Sequence, residues 1–203
     1  MNMALNDPND LLFFTVPTLF YLLLHRIYLV PSLAYLYQHR KHLRRASRTM
    51  GFIRPQIRDC KLGVITAVLL ALVTVLMIHF SPNSIPSKPA IVATATMIAV
   101  EATVTILRSA GEEVLFRGFI QGIFSKRFSA YTAILAQALL SMLPATLLTI
   151  LDTGYWVLLP PQFLAVITFG FLRHYTKGIT APLLVHMILN VLVMTADLTG
   201  LTA

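Results

Sequence analysis

Apolar runs separated by short polar clusters fill most of the chain, at positions 11–37, 63–80, 90–124, 130–151, 155–172 and 179–199. Each is long enough, or nearly so, to cross a hydrocarbon layer of about 30 Å as a helix. The runs are continuous rather than alternating, and rich in Leu, Ala, Ile and Val. Barrel strands alternate lipid-facing and lumen-facing residues with period two, so helices are the spanning structure expected here. The predicted fold class is all-α, a polytopic membrane helical bundle of about six transmembrane helices. The third run is too long for one straight span, since Ala90 to Ser125 would make a helix of about 54 Å. A strong tilt, an outer stretch lying at the interface, or a break near Ser109-Ala110-Gly111, where helix propensity is weakest, is expected.

Composition supports the lipid setting. Of 203 residues, 57% are hydrophobic and 12% charged, and the mean hydropathy is +0.75, far from the mixture of a soluble domain. The net charge of +8 comes mostly from one segment. Between Gln38 and Leu62 stand Arg40, Lys41, Arg44, Arg45, Arg48, Arg54, Arg58 and Lys61 against the single acid Asp59. The positive-inside rule makes this segment cytoplasmic. Counting helices then puts Lys126, Arg127, Arg173 and Lys177 on the same side, Lys88 and Asp152 on the other, and both termini outside.

A basic segment beside a membrane attracts anionic headgroups, so membrane lipids are expected partners. No base-stacking or groove-reading module accompanies the charge, and nucleic acid is not expected. Ser47, in Arg-Arg-Ala-Ser, has the context of a kinase site. Cys60 is the one cysteine, which excludes an intrachain disulfide and a CxxC motif. Met1 to Asp10 carries acids but no lysine or arginine, so the first segment does not read as a cleaved signal peptide. No internal repeat marks a secondary transporter.

Chemistry concentrates in two apolar segments. Glu112, Glu113 and Arg117 form an EExxxR pattern in Ala-Gly-Glu-Glu-Val-Leu-Phe-Arg-Gly, where desolvation makes charge costly. Glu113 and Arg117 share a helix face and suit an internal ion pair, whereas Glu112 is turned about 100° away and is left free to act. In the last segment His186 and Asn190 are likewise four apart. His186 and Asn190 lie nine and thirteen residues beyond Lys177, and Arg117 and Glu113 lie nine and thirteen before Lys126. Equal counts predict equal depths, with the two stripes facing one another. Ionisable residues in membrane segments are usually functional, although such pairs also serve as interhelical glue. Gly111, Gly118 and Gly122 mark one face and read as a packing surface.

Glu112-Glu113-xxx-Arg117 followed by His186-xxx-Asn190 resembles the CAAX-protease and bacteriocin-processing (CPBP, or Abi) family of intramembrane proteases. The resemblance covers residues 50 to 195, and Met50-Gly51-Phe52-Ile53-Arg54-Pro55 is similar to that family's entry into its core. It divides the chain into an N-terminal transmembrane helix with a basic cytoplasmic loop, 1–49, and a membrane core, 50–203. It implies an intramembrane endopeptidase acting on a peptide or membrane protein. Glu112 would be the general base, with Glu113 and Arg117 orienting it. His186 would bind a metal or polarise the scissile carbonyl, and Asn190 would donate to the developing oxyanion. The resemblance leaves open a zinc held by Glu112 and His186, or a glutamate mechanism without metal.

One element of the family pattern is missing. The Phe-x-x-x-His motif on the helix after the doublet corresponds to Ser141-Met142-Leu143-Pro144-Ala145, where neither signature residue stands. Pro144 is expected to bend that helix. His79 belongs near the outer edge, His174 with the inner basic residues, and His39 and His42 in the basic segment, so these are poor replacements; His25 alone could lie deep, and next to Arg26 it reads as a helix-packing or lipid-facing residue. A second reading therefore stands beside the protease: a catalytically inactive relative whose polar pocket binds a partner as an assembly or immunity factor.

Overall fold

The computed structural model describes residues 26–80, 95–151 and 153–199. They form helices, with no strand among the described residues, which is the all-α class the hydropathy pattern predicts. A 3-10 turn at Ile27–Leu29 leads into α1 (Val30–Gln38), and a second at Arg40–His42 into α2 (Leu43–Thr49). Next come α3 (Ile57–His79) and α4 (Ala95–Glu113). Without a gap, α4 continues into a π-helical stretch, Val114–Ile120, and the short α5 (Gln121–Phe124). Then follow α6 (Ala130–Leu151), a 3-10 stretch at Thr153–Leu158, α7 (Leu159–Thr176) and α8 (Thr180–Thr199).

Among the described residues, three stretches are long and apolar enough to cross a membrane: Ile57–Met77, Ala130–Leu147 and Trp156–Thr176. A shorter apolar stretch, Thr180–Thr195, lies in α8. Most of the first predicted segment, including His25, falls outside the described residues, as does the stretch with Lys88. On the outer faces of α3 and α6, Val68, Leu69, Leu72, Leu135, Leu139 and Leu143 are exposed, as expected where lipid replaces a protein core.

Two sequence expectations change here. The basic segment 38–62 is largely helical rather than a loop, since it contains the 3-10 turn, α2 and the start of α3. Leu, Arg, Lys and Ala are good helix formers, and Asp59 starts α3 by accepting the Gln56 backbone N–H at 3.1 Å, half of a capping box. The third run shows no break at Ser109-Ala110-Gly111, because α4 runs through them. The irregularity lies after the doublet, in the π stretch, where the wider turn leaves backbone carbonyls to find other donors. Ser32 on α1, 2% exposed, donates from Oγ to the Val114 carbonyl at 3.4 Å. The helix α6 runs continuously through Pro144.

The helix α8 occupies the middle of the bundle, packing along α3, α4 and α7, while α6 packs on α7. One buried cluster joins Ala67 and Leu70 of α3, Phe169 and Leu172 of α7, and Ala181 and Val185 of α8. The turn after α2 is a second anchor. Gly51 adopts φ +77°, Arg173 donates from Nη2 to the Thr49 carbonyl at 2.9 Å, and the Ile179 N–H donates to the Gly51 carbonyl at 3.2 Å.

The faces of Gly118 and Gly122 meet this turn. A Cβ on Gly122 would lie 2.5 Å from the Thr49 carbonyl oxygen, and one on Gly118 3.2 Å from that of Met50. The small-residue face is thus a packing surface, as its sequence implies, but its partner is the backbone of residues 49–50. Gly122→Ala should therefore cost about 1–3 kcal/mol through overpacking, and Gly118→Ala less. Thermal unfolding in detergent measures both, and equal melting temperatures for the two variants would contradict this packing.

Candidate functional site

The end of α4 and the middle of α8 run antiparallel and pair turn by turn. His186 and Glu113 face each other, the imidazole Nδ1 lying 2.8 Å from the carboxylate Oε1. One turn further along, Asn190 donates from Nδ2 to Ser109 Oγ at 3.0 Å. The expected convergence of the two stripes is present, shifted by one turn, because equal counts had matched His186 with Arg117 and Asn190 with Glu113. Neither marker lies in its helix: Lys177 sits in a left-handed turn at φ 59°, and Lys126 in the turn after α5. The π stretch between Lys126 and Glu113 also packs more residues into each turn, so counting residues misjudges depth.

Glu113 is the buried centre. Its Oε1 also receives Arg117 Nη1 at 2.9 Å, with side-chain exposures of 0% and 1%, which is the predicted i,i+4 pair. Arg117 donates further from Nη2 to the Val166 carbonyl of α7 at 3.3 Å. A carboxylate paired with a guanidinium is an acceptor only, so the bond to His186 places a proton on Nδ1. Phe169 of α7, 2% exposed, lies against both side chains: the Arg117 Cζ stands 4.9 Å from its ring centroid, and the centroid of the imidazole 5.3 Å.

Glu112 is not left unpaired. Its Oε1 accepts from Arg108 Nε at 3.0 Å, while Oε2 faces His186 Nε2 at 3.6 Å. Arg108 with Glu112 and Arg117 with Glu113 are two pairs of opposite charge. With Nδ1 holding a proton toward Glu113, Nε2 of the neutral form of the imidazole would present a lone pair to Glu112 Oε2.

Sequence reasoning did not single out Arg108, Ser109, Gln121 or Gln137. Arg108 and Ser109 stand four residues before Glu112 and Glu113, so the same i,i+4 spacing was their available signal. Gln137, fully buried, donates from Nε2 to the same Val166 carbonyl at 3.1 Å, and Gln121 donates to the Gly170 carbonyl at 2.8 Å. Both are long-range bonds to α7, which local spacing does not indicate. Ala145, at the missing histidine's position, packs in an apolar cluster with Ala138, Met142 and Val166, beside Leu159, Phe163 and Ile167.

Glu112 Oε2 and His186 Nε2 face each other at 3.6 Å, whereas Glu113 Oε1 is committed to Arg117 and His186. Catalytic zinc commonly takes three protein ligands, and among the described residues no group of three His, Cys, Asp or Glu side chains is placed to hold a metal ion. Among the described residues the donor set, Glu112 and His186, falls one ligand short of the usual catalytic zinc site.

A helical membrane bundle with two adjacent carboxylates, one buried and one half-buried, against a histidine on a facing helix is the class that fold and site define. The model of the type II CAAX prenyl endopeptidase Rce1-like family matches residues 89–192, a span that holds every residue of this cluster. The chain belongs to that family and is an integral membrane protein. No curated protein and no solved structure matches it.

Proposed function

We propose that the chain is an intramembrane endopeptidase that hydrolyses a peptide bond with water activated by Glu112. The observation that supports this most is the approach of Glu112 Oε2 to His186 Nε2, 3.6 Å apart, with Nδ1 of the same imidazole held by a buried carboxylate. With the imidazole neutral, a water beside this pair donates a hydrogen to each. Glu112 removes one proton as the water oxygen attacks the scissile carbonyl carbon. The oxyanion that forms accepts from the side-chain amide of Asn190. Collapse of the tetrahedral intermediate breaks the C–N bond, and the proton on Glu112 passes to the leaving nitrogen. Glu113 keeps the imidazole in one tautomer, and Arg117 holds Glu113 in place through their ion pair.

The family's description names prenylated CAAX chains as the substrate class, and such a chain, anchored in the bilayer by its lipid, is the substrate we assign. The basic segment 38–62 then lies on the cytoplasmic face, where its cations meet anionic headgroups. The alternative, an inactive relative that binds a membrane protein, draws on Ala145, which puts a methyl where the family motif has an imidazole.

The test uses the full chain reconstituted in lipid vesicles with a farnesylated peptide ending in a CAAX sequence. The expected result is release of the terminal tripeptide at a rate that a zinc chelator leaves unchanged. Loss of activity on chelation, restored by added zinc, would overturn the metal-free mechanism. Peptide binding without cleavage would favour the inactive relative.

A further inference from the structure

Ser109 takes no part in the chemistry above, yet it is 0% exposed and lies between two helices. Its hydroxyl donates to the Thr105 carbonyl at 2.8 Å, a back-bond to the preceding turn. That commits the single hydroxyl hydrogen, so toward Asn190 the oxygen acts only as an acceptor. The group 3.0 Å away is accordingly the Asn190 amide nitrogen, and the orientation of the amide is settled by the network. One Nδ2 hydrogen is spent on Ser109, and the second is the donor the amide has left.

We infer that Ser109 is a positioning residue that holds the Asn190 amide with a donor, rather than its oxygen, facing the reacting carbonyl. The inference rests on the proposed hydrolysis and deepens it. Without the Ser109 acceptor, the amide is free to rotate about its last torsion, which is broad and nearly two-fold. A flipped amide would present Oδ1 to a developing oxyanion, and two negative oxygens repel. The ground-state carbonyl carries less charge, so substrate binding suffers less than turnover.

The experiment is a double-mutant cycle on the full chain in lipid vesicles, with the farnesylated CAAX peptide as probe. Ser109→Ala is expected to lower kcat about 10- to 100-fold, somewhat less than the loss of an oxyanion donor itself, with KM changed less than about twofold. In an Asn190→Ala background the same substitution should cost nothing further, because the residue it acts through is gone. Ser109→Thr, which keeps the hydroxyl, should recover most of the rate.

A kcat for Ser109→Ala within about twofold of the parent overturns the inference. Equal losses in the parent and Asn190→Ala backgrounds overturn it too, since they mark an effect independent of the amide. In both cases a parent activity abolished by Glu112→Gln leaves the proposed hydrolysis intact. A parent chain that cleaves no peptide removes that reading and this inference together.

Discussion

Glu112→Gln is expected to reduce kcat about 10²- to 10⁴-fold, the range that general-base catalysis supplies, while KM moves little. The amide is nearly isosteric with the carboxylate, and its oxygen can still accept from Arg108, which now sits 3.0 Å from Glu112 Oε1. What disappears is the ability of the group facing His186 to take a proton from water. Thermal stability should change by about 1 kcal/mol or less, because this pair is partly exposed and such pairs contribute little. Kinetics and melting measured on the same preparation separate these effects. A variant that retains a tenth or more of the parent kcat would show that another group activates the water, with His186 Nε2 the first to examine.

Arg117→Met should be the most destabilising single change in the site, costing about 3–5 kcal/mol, because it strands a buried carboxylate without its cation. The pair it breaks has side-chain exposures of 1% and 0%, so water offers little relief. Activity should fall with it, because Glu113 loses the partner that holds it against His186. The double variant Glu113→Leu/Arg117→Met should recover most of the stability, since replacing both members of a buried pair by apolar groups is often neutral. It should recover none of the activity, because nothing then fixes the imidazole tautomer. Melting in detergent with a parallel peptide assay tests both parts. A double variant that melts no higher than Arg117→Met would show that the guanidinium acts through its bond to the Val166 carbonyl rather than through its charge.

Much of the site was legible from spacing. The Glu113–Arg117 pair is an i,i+4 relation within one helix, and the polar stripe His186-xxx-Asn190 is another, so neither needs knowledge of the rest of the chain. That these stripes meet also followed from their setting, because ionised groups in an apolar segment must find partners. The pairing of Glu112 with Arg108 has the same local origin and was available in principle, whereas Glu112 had been expected to stand free. Ala145 was legible as a departure from the family motif, and its neighbours Met142, Phe163 and Ile167 make its position apolar.

The sequence by itself determined the all-α class, the lipid setting and the ion pair, because hydropathy and the 3.6-residue repeat act over one or two turns. Tertiary structure decided which turn of α4 meets which turn of α8: Glu113 with His186, and Ser109 with Asn190. That register depends on where the connections after α5 and α7 place the helix ends, and on the π stretch that changes residues per turn between them. It decided as well that Gly118 and Gly122 receive the backbone of Thr49 and Met50 instead of a helix. Such contacts join residues far apart in the chain, and their geometry follows from how the whole bundle closes rather than from any local pattern.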